Sequence, residues 1–119
     1  MQNGYTRTSP AFAKRHGDAT AVKSRHIPGQ RVLARVHVRN KGAAAFYLQL
    51  HDLSATAATA ALALTTAVPS YPSYKIEPDT TIVLPDGFSV ATGALIAASS
   101  TADTLTLVAA ADAQIVVES

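Results

Sequence analysis

Alternating apolar and polar positions, turn residues spaced roughly every 8 to 15 residues and the lack of any strand-helix-strand rhythm predict an all-β chain. The expected architecture is an antiparallel β-sandwich, jelly-roll-like, over residues 30–119, preceded by an extended basic N-terminal arm over residues 1–29.

Residues 1–29 mix Gly4, Pro10, Gly17, Pro28 and Gly29 with scattered positive charge and hold neither a two-residue nor a 3.6-residue period, so they read as an arm. From Arg31 the pattern changes. Val32, Ala34, Val36 and Val38 alternate with Arg31, Leu33, Arg35, His37 and Arg39, which predicts a strand with an apolar face and a cationic one. Asn40-Lys41-Gly42 supplies turn residues, and Phe46, Leu48 and Leu50 alternate with Tyr47, Gln49 and His51 beyond it. A β-hairpin over residues 30–51 follows from that pattern.

Ala55 to Leu64 reads either as a loop or as one short helix capped by Ser54. Val68-Pro69-Ser70-Tyr71-Pro72-Ser73-Tyr74 is held extended by its prolines, which also lack a ladder donor, so the segment belongs at a sheet edge or across the rim. Thr80 to Leu84, a Pro85-Asp86-Gly87 turn and Phe88 to Ala98 predict a second hairpin. Thr104 to Val108 and Gln114 to Glu118 add two more β-rich runs, separated by Ala109 to Asp112.

Composition points to a thin core. Alanine supplies 24 of the hydrophobic residues, Trp is absent and the aromatics are three Phe and four Tyr. Alanine buries little area, and the hydrophobic gain scales at roughly 25 cal/mol per Å², so association with neighbours is expected to supplement the fold. Cysteine is absent, which excludes disulfides, thiolate metal sites and a cysteine nucleophile. The residues after Met1 form no secretory signal and no apolar stretch reaches the length of a membrane span, so a protein made in the cytoplasm is expected, with no membrane partner.

Charge is strongly divided. Nine of the ten Lys and Arg residues lie in the first 41 positions, with one acidic residue, and seven of the eight Asp and Glu residues follow. A basic leader on an acidic body is complementary to copies of itself and to polyanions. The candidate interaction residues are therefore Arg7, Lys14, Arg15, Lys23 and Arg25 in the arm, and Arg31, Arg35, Arg39 and Lys41 along the first strand. Arginines four apart on a strand share one face at about 13 Å spacing. Such a face is solvated, docks on acidic protein, or contacts nucleic acid. Nucleic acid is the less favoured partner, because Tyr5 and Phe12 are the only aromatics among the basic residues.

Catalysis is not expected. The glycines form no phosphate loop, the four His residues are dispersed, and His51 and Asp52 point to opposite faces of a strand. Glu77, Asp79 and Asp86 sit in Pro-containing turns where acidic residues serve the backbone. No metal, cofactor or small-molecule substrate is expected.

The run Ala45-Phe46-Tyr47-Leu48-Gln49-Leu50-His51-Asp52, after a basic strand, resembles the "YLQLHD" strand of small β-sandwich proteins encoded among the virion genes of tailed bacteriophages. Gly87 to Thr101, with Phe88, the Thr92-Gly93 step, an apolar strand and a Ser/Thr-rich turn, is similar to their second signature. Both runs lie within residues 30–119. The resemblance implies a non-enzymatic virion component, first a capsid decoration (cement) protein and second a head-tail connector, neck or tail protein. Its partners would be other virion proteins and copies of itself. The Ala/Thr-rich residues 55–67 and the basic arm are not part of that signature, so the attachment site does not transfer. Two rivals stand beside it: a nucleic-acid-binding β module using the same Arg and Lys residues, and, more distantly, a carbohydrate-active sandwich.

Overall fold

The computed structural model describes residues 15–16, 22–64, 66–84 and 88–118. Arg7, Lys14 and the Pro85-Asp86-Gly87 turn lie outside them.

The strands are β1 (Arg15–His16), β2 (Ser24–Pro28), β3 (Arg31–Leu33), β4 (Arg35–Asn40), β5 (Phe46–Asp52), β6 (Tyr74–Ile76), β7 (Thr80–Leu84), β8 (Phe88–Val90), β9 (Gly93–Ser99) and β10 (Ala113–Glu118). One helix, α1 (Ala55–Ala63), follows β5, and a short 3-10 turn covers Ala110–Asp112. Two four-stranded sheets run β1-β10-β4-β7 and β2-β9-β5-β6, and β3 pairs with β8 as a two-stranded ribbon. All pairings are antiparallel, and five of them nest: β1 with β10, β2 with β9, β3 with β8, β4 with β7, β5 with β6. Rolling such a nested hairpin brings β10 against β4 and β9 against β5, which closes the two sheets in jelly-roll order. The all-β sandwich expected from the alternation is the observed fold.

The first sheet turns Val36, Val38, Ile115 and Val117 inward, and the second answers with Phe46, Leu48, Leu50, Ile96 and Ala98. Burying each large side chain contributes roughly 1.5–3 kcal/mol. A second, smaller cluster lies on the other side of the second sheet. There Leu95 and Ala97 meet Ala58 and Ala61 of α1 and Leu105. Residues 93–99 are consequently buried on both faces. Ser54 caps α1 by accepting from the Ala57 N–H at 3.3 Å, so the capped helix is the form taken by residues 55–63.

Five sequence expectations give way to this winding. The first hairpin does not exist, because β4 belongs to the first sheet and β5 to the second. Asn40 makes the crossing possible. Fully buried, it donates to the carbonyls of Ala44 (2.9 Å) and Ile76 (3.0 Å) and accepts from the Gly42 N–H (2.9 Å), replacing the ladder that a hairpin would have supplied. The second expected hairpin is absent for the same reason: β7 pairs with β4, β8 with β3 and β9 with β5 and β2.

The long strand from Arg31 is also two strands. At Ala34 the chain leaves the ribbon for the first sheet, its N–H donating to the Glu118 carbonyl at 2.7 Å, and the alternation changes phase. Leu33 is therefore buried and Val32 exposed, the reverse of the simple pattern. Residues 104–108 form only a bridge, Leu107 with Ser99. Finally, Ser24–Pro28, read from sequence as arm, is an edge strand of the second sheet with Ile27 in the core. Val22 ties the same segment to the first sheet, donating to the Ala113 carbonyl at 2.8 Å.

Candidate functional site

The outer face of the first sheet is where the sequence placed its cationic stripe. Val36 and Val38 face the core, so Arg35, His37 and Arg39 face outward, in register with Glu118, Val116 and Gln114 of β10. Glu118 sits between two of them. Its carboxylate accepts from the Arg35 guanidinium at 3.0 Å and lies 3.1 Å from His37 Nε2. Partial burial pushes the Glu118 pKa upward, but the hydrogen bonds and charges of Arg35 and His37 outweigh it and hold the carboxyl below its ordinary range. Arg39 reaches Asp79 at 3.2 Å and the Thr81 hydroxyl at 3.0 Å. Asp79 holds φ at 57°, a left-handed turn conformation that Asp tolerates better than most residues.

Arg31 does not join this face. It lies on β3, in the ribbon, and donates to the Pro28 carbonyl. Arg25 is likewise structural: its Nε donates to the Ile115 carbonyl, beyond the point where the two residues of β1 stop pairing with β10. Arg15 stands opposite Glu118 in the β1–β10 register. The three-arginine stripe is thus divided between two sheets, and two of its members are matched by the chain's own carboxylates.

Among the described residues, two exposed lysines without an ion pair, Lys23 and Lys41, gather at one end. Both flank one corner. Lys41 donates its N–H to the Asp112 carbonyl at 2.7 Å, and Val22, next to Lys23, bonds the adjacent Ala113. Gly42 packs closely there, since a Cβ would come within 2.9 Å of the Asp112 carboxyl carbon and the Asp112 side chain would have to shift.

The polar residues of β5 have internal tasks that sequence reasoning missed. Gln49, fully buried, donates to the carbonyls of Thr101 (2.8 Å) and Thr104 (2.9 Å), while its Oε1 accepts from His51 Nε2 at 2.9 Å. Burial lowers the His51 pKa, a hydrogen bond with the Val68 backbone opposing it. Asp52 accepts from the N–H groups of Ala91 and Thr92 and from the Thr92 hydroxyl, all at 2.9 Å, which depress its pKa. The signal was a strand whose polar face is covered by Val68 and by residues 101–104, and neither cover is visible in the period-2 pattern.

Among the described residues no group of three or more His, Asp or Glu is placed to hold a metal ion. A shallow cleft of about 300 Å³ is lined by Val68, Pro69, Tyr71 and Asp103. Its serines are already engaged, Ser70 Oγ accepting from the Asp52 N–H and Ser73 Oγ donating to the Ala102 carbonyl. Among the described residues no helix is long and apolar enough to cross a membrane. No family profile, no curated protein and no solved structure matches this chain.

Proposed function

We propose that this chain is a non-enzymatic structural component of a bacteriophage particle, a capsid decoration protein held to neighbouring subunits through its N-terminal segment and the Lys23–Lys41 corner. The supporting observation is the winding itself: a jelly roll whose interior is filled. This architecture serves viral capsids, lectins and cupins. A ligand-enclosing use needs open space between the sheets, and here Leu33, Phe46, Leu48, Ile76, Ile96 and Ile115 occupy it, each fully buried. Surface is what the fold offers. Fold analogy supplies only a prior, and the resemblance of residues 45–52 and 87–101 to phage virion sandwiches narrows it.

Charge placement favours protein over nucleic acid as the partner. Arg35 and Arg39 are compensated by Glu118 and Asp79, so an extended phosphate-binding track is interrupted by carboxylates. Lys23 and Lys41, which form no ion pair among the described residues, are left to meet acidic protein.

Incorporation is the test. Particles purified from cells carrying the encoding phage are expected to contain the chain by mass spectrometry. A variant with Lys23→Glu and Lys41→Glu, folded by circular dichroism, is expected to be depleted from them. Absence of the native chain from particles, or undiminished incorporation of the variant, refutes the reading. Steeply salt-dependent DNA binding would support the nucleic-acid rival instead.

A further inference from the structure

The two main sheets present four edges, and three are blunted. β1 is two residues long and carries Arg15; β2 contains Arg25 and ends in Pro28; β6 contains Lys75 and is followed by Glu77-Pro78. Short length, charge and proline are the usual means of preventing strand addition. The fourth edge has neither charge nor proline inside the strand, Asp79 standing just before it and Pro85 just after. β7 reads Thr80-Thr81-Ile82-Val83-Leu84, uncharged and β-branched over four of its five residues. One side pairs with β4, and among the described residues no backbone hydrogen bond reaches the other. Val83 points outward with 44% of its surface exposed.

We infer that the β7 edge is a homodimer interface, at which β7 of a second copy adds antiparallel across a twofold axis through Ile82. Self-complementarity identifies the occupant. In this register Thr81 lies opposite Val83 of the copy on the outer face, so each exposed valine is covered by a β-branched neighbour at both ends of the pair. Ile82 meets its symmetry mate, and Thr80 lies opposite Leu84. No charge opposes another within the strand. The next outward-facing cation, Arg39, is already paired with Asp79, so no uncompensated like charges approach one another. By contrast, the other free edges of a second copy bring Arg15, Arg25 or Lys75 to the seam.

The result joins two four-stranded sheets into one continuous sheet. It is closed, because the isologous contact uses up β7 on both copies and the far edges are the blunted β1 strands. A five-residue strand pair buries far less than the roughly 1,200 Å² of a stable independent interface, so association is weak in dilute solution and strengthens where copies are concentrated. The inference is independent of the phage reading: loss from particles tests the one, and the following experiment tests the other.

The native chain has no cysteine, which makes a register-specific trap available. Residues directly opposite on an antiparallel pair have Cα atoms about 4.5–5.5 Å apart, within disulfide range. An equal mixture of Thr81→Cys and Val83→Cys proteins is expected to oxidise to a disulfide dimer several-fold faster than either protein alone. Val83→Lys, an exposed substitution, is expected to shift the native chain from dimer to monomer in sedimentation equilibrium at high concentration, with an unchanged circular dichroism spectrum. Equal cross-linking of the mixture and the single variants overturns the inference. So do a native chain that stays monomeric at high concentration and open-ended aggregation that Val83→Lys leaves intact.

Discussion

Gln49 and His51 lie two residues apart on the covered face of β5, and the histidine donates its Nε2 proton to the glutamine oxygen at 2.9 Å while the glutamine amide holds the 101–104 turn. The pair is a clamp. It fixes the loop that roofs the second sheet without any direct role at the surface.

Gln49→Ala should therefore destabilise the fold through orphaned partners rather than through lost apolar area. The Thr101 carbonyl and the His51 N–H lose their matches in a buried setting, where each unsatisfied group costs about 1–3 kcal/mol, while the Thr104 carbonyl keeps the Ser99 and Thr101 hydroxyls. A loss of roughly 2–4 kcal/mol in urea unfolding is expected. Proteolytic nicking near residues 100–106 should accompany it.

Stability should fall in acid in two steps. Burial lowers the His51 pKa below its unfolded value of 6.5, so the unfolded chain binds more protons and stability declines as pH drops below 6.5 toward the folded pKa. Asp52 and Glu118 are also depressed, from 3.8 and 4.5, so their contribution is complete above those values and disappears as pH falls through the folded ones. His51→Gln should abolish the upper step and retain the lower. Unfolding free energies measured from pH 7.5 down to acid would separate them.

Gly93→Ala should be severe. The residue sits at φ 156° at the start of β9, and a Cβ would stand 2.6 Å from the Leu53 carbonyl oxygen and 3.0 Å from His26 Nε2. The backbone contact cannot relax cheaply, because Leu53 donates its own N–H to the Gly93 carbonyl at 3.1 Å. A loss of about 2–4 kcal/mol is expected from thermal or urea unfolding.

Truncation should locate the beginning of the folded body. Removing residues 2–14 leaves β1, β2 and Ile27 in place and should retain a cooperative transition. Removing residues 2–28 deletes both edge strands and the buried Ile27, together with the Val22 and Arg25 bonds to β10. Cooperative unfolding by circular dichroism should then be lost or shifted down by many degrees.

The fold class was legible because Val36, Val38, Phe46, Leu48 and Leu50 obey a two-residue period wherever one face meets the core. Connectivity was not, because a turn signal such as Asn40-Lys41-Gly42 looks alike whether the next strand pairs beside the last or crosses to the opposite sheet. Asn40 decides between them, through side-chain bonds to Ile76 and Ala44 that no local pattern announces. Phase was lost at Ala34 for a similar reason, the break being imposed by Glu118 across the sheet. Of the candidate site, Lys23 and Lys41 were legible as charge. Their nearness at the Asp112–Ala113 corner follows only from the roll of the sheets.

The nested pairing also sets a timetable for synthesis. Asn40 finds its β10 partner in Ala113, 73 residues later, and at about 5–20 residues per second the ribosome needs several seconds to deliver it. During that interval β4 has only β7 beside it, so Val36 and Val38 belong to an unfinished sheet. β5 and β6, the innermost pair, are the earliest able to zip, and each outer layer must wait for its mate to emerge. A nascent chain stalled before residue 113 would thus display an unfinished, adhesive half, which makes its protection during translation as important to yield as the stability of the finished roll.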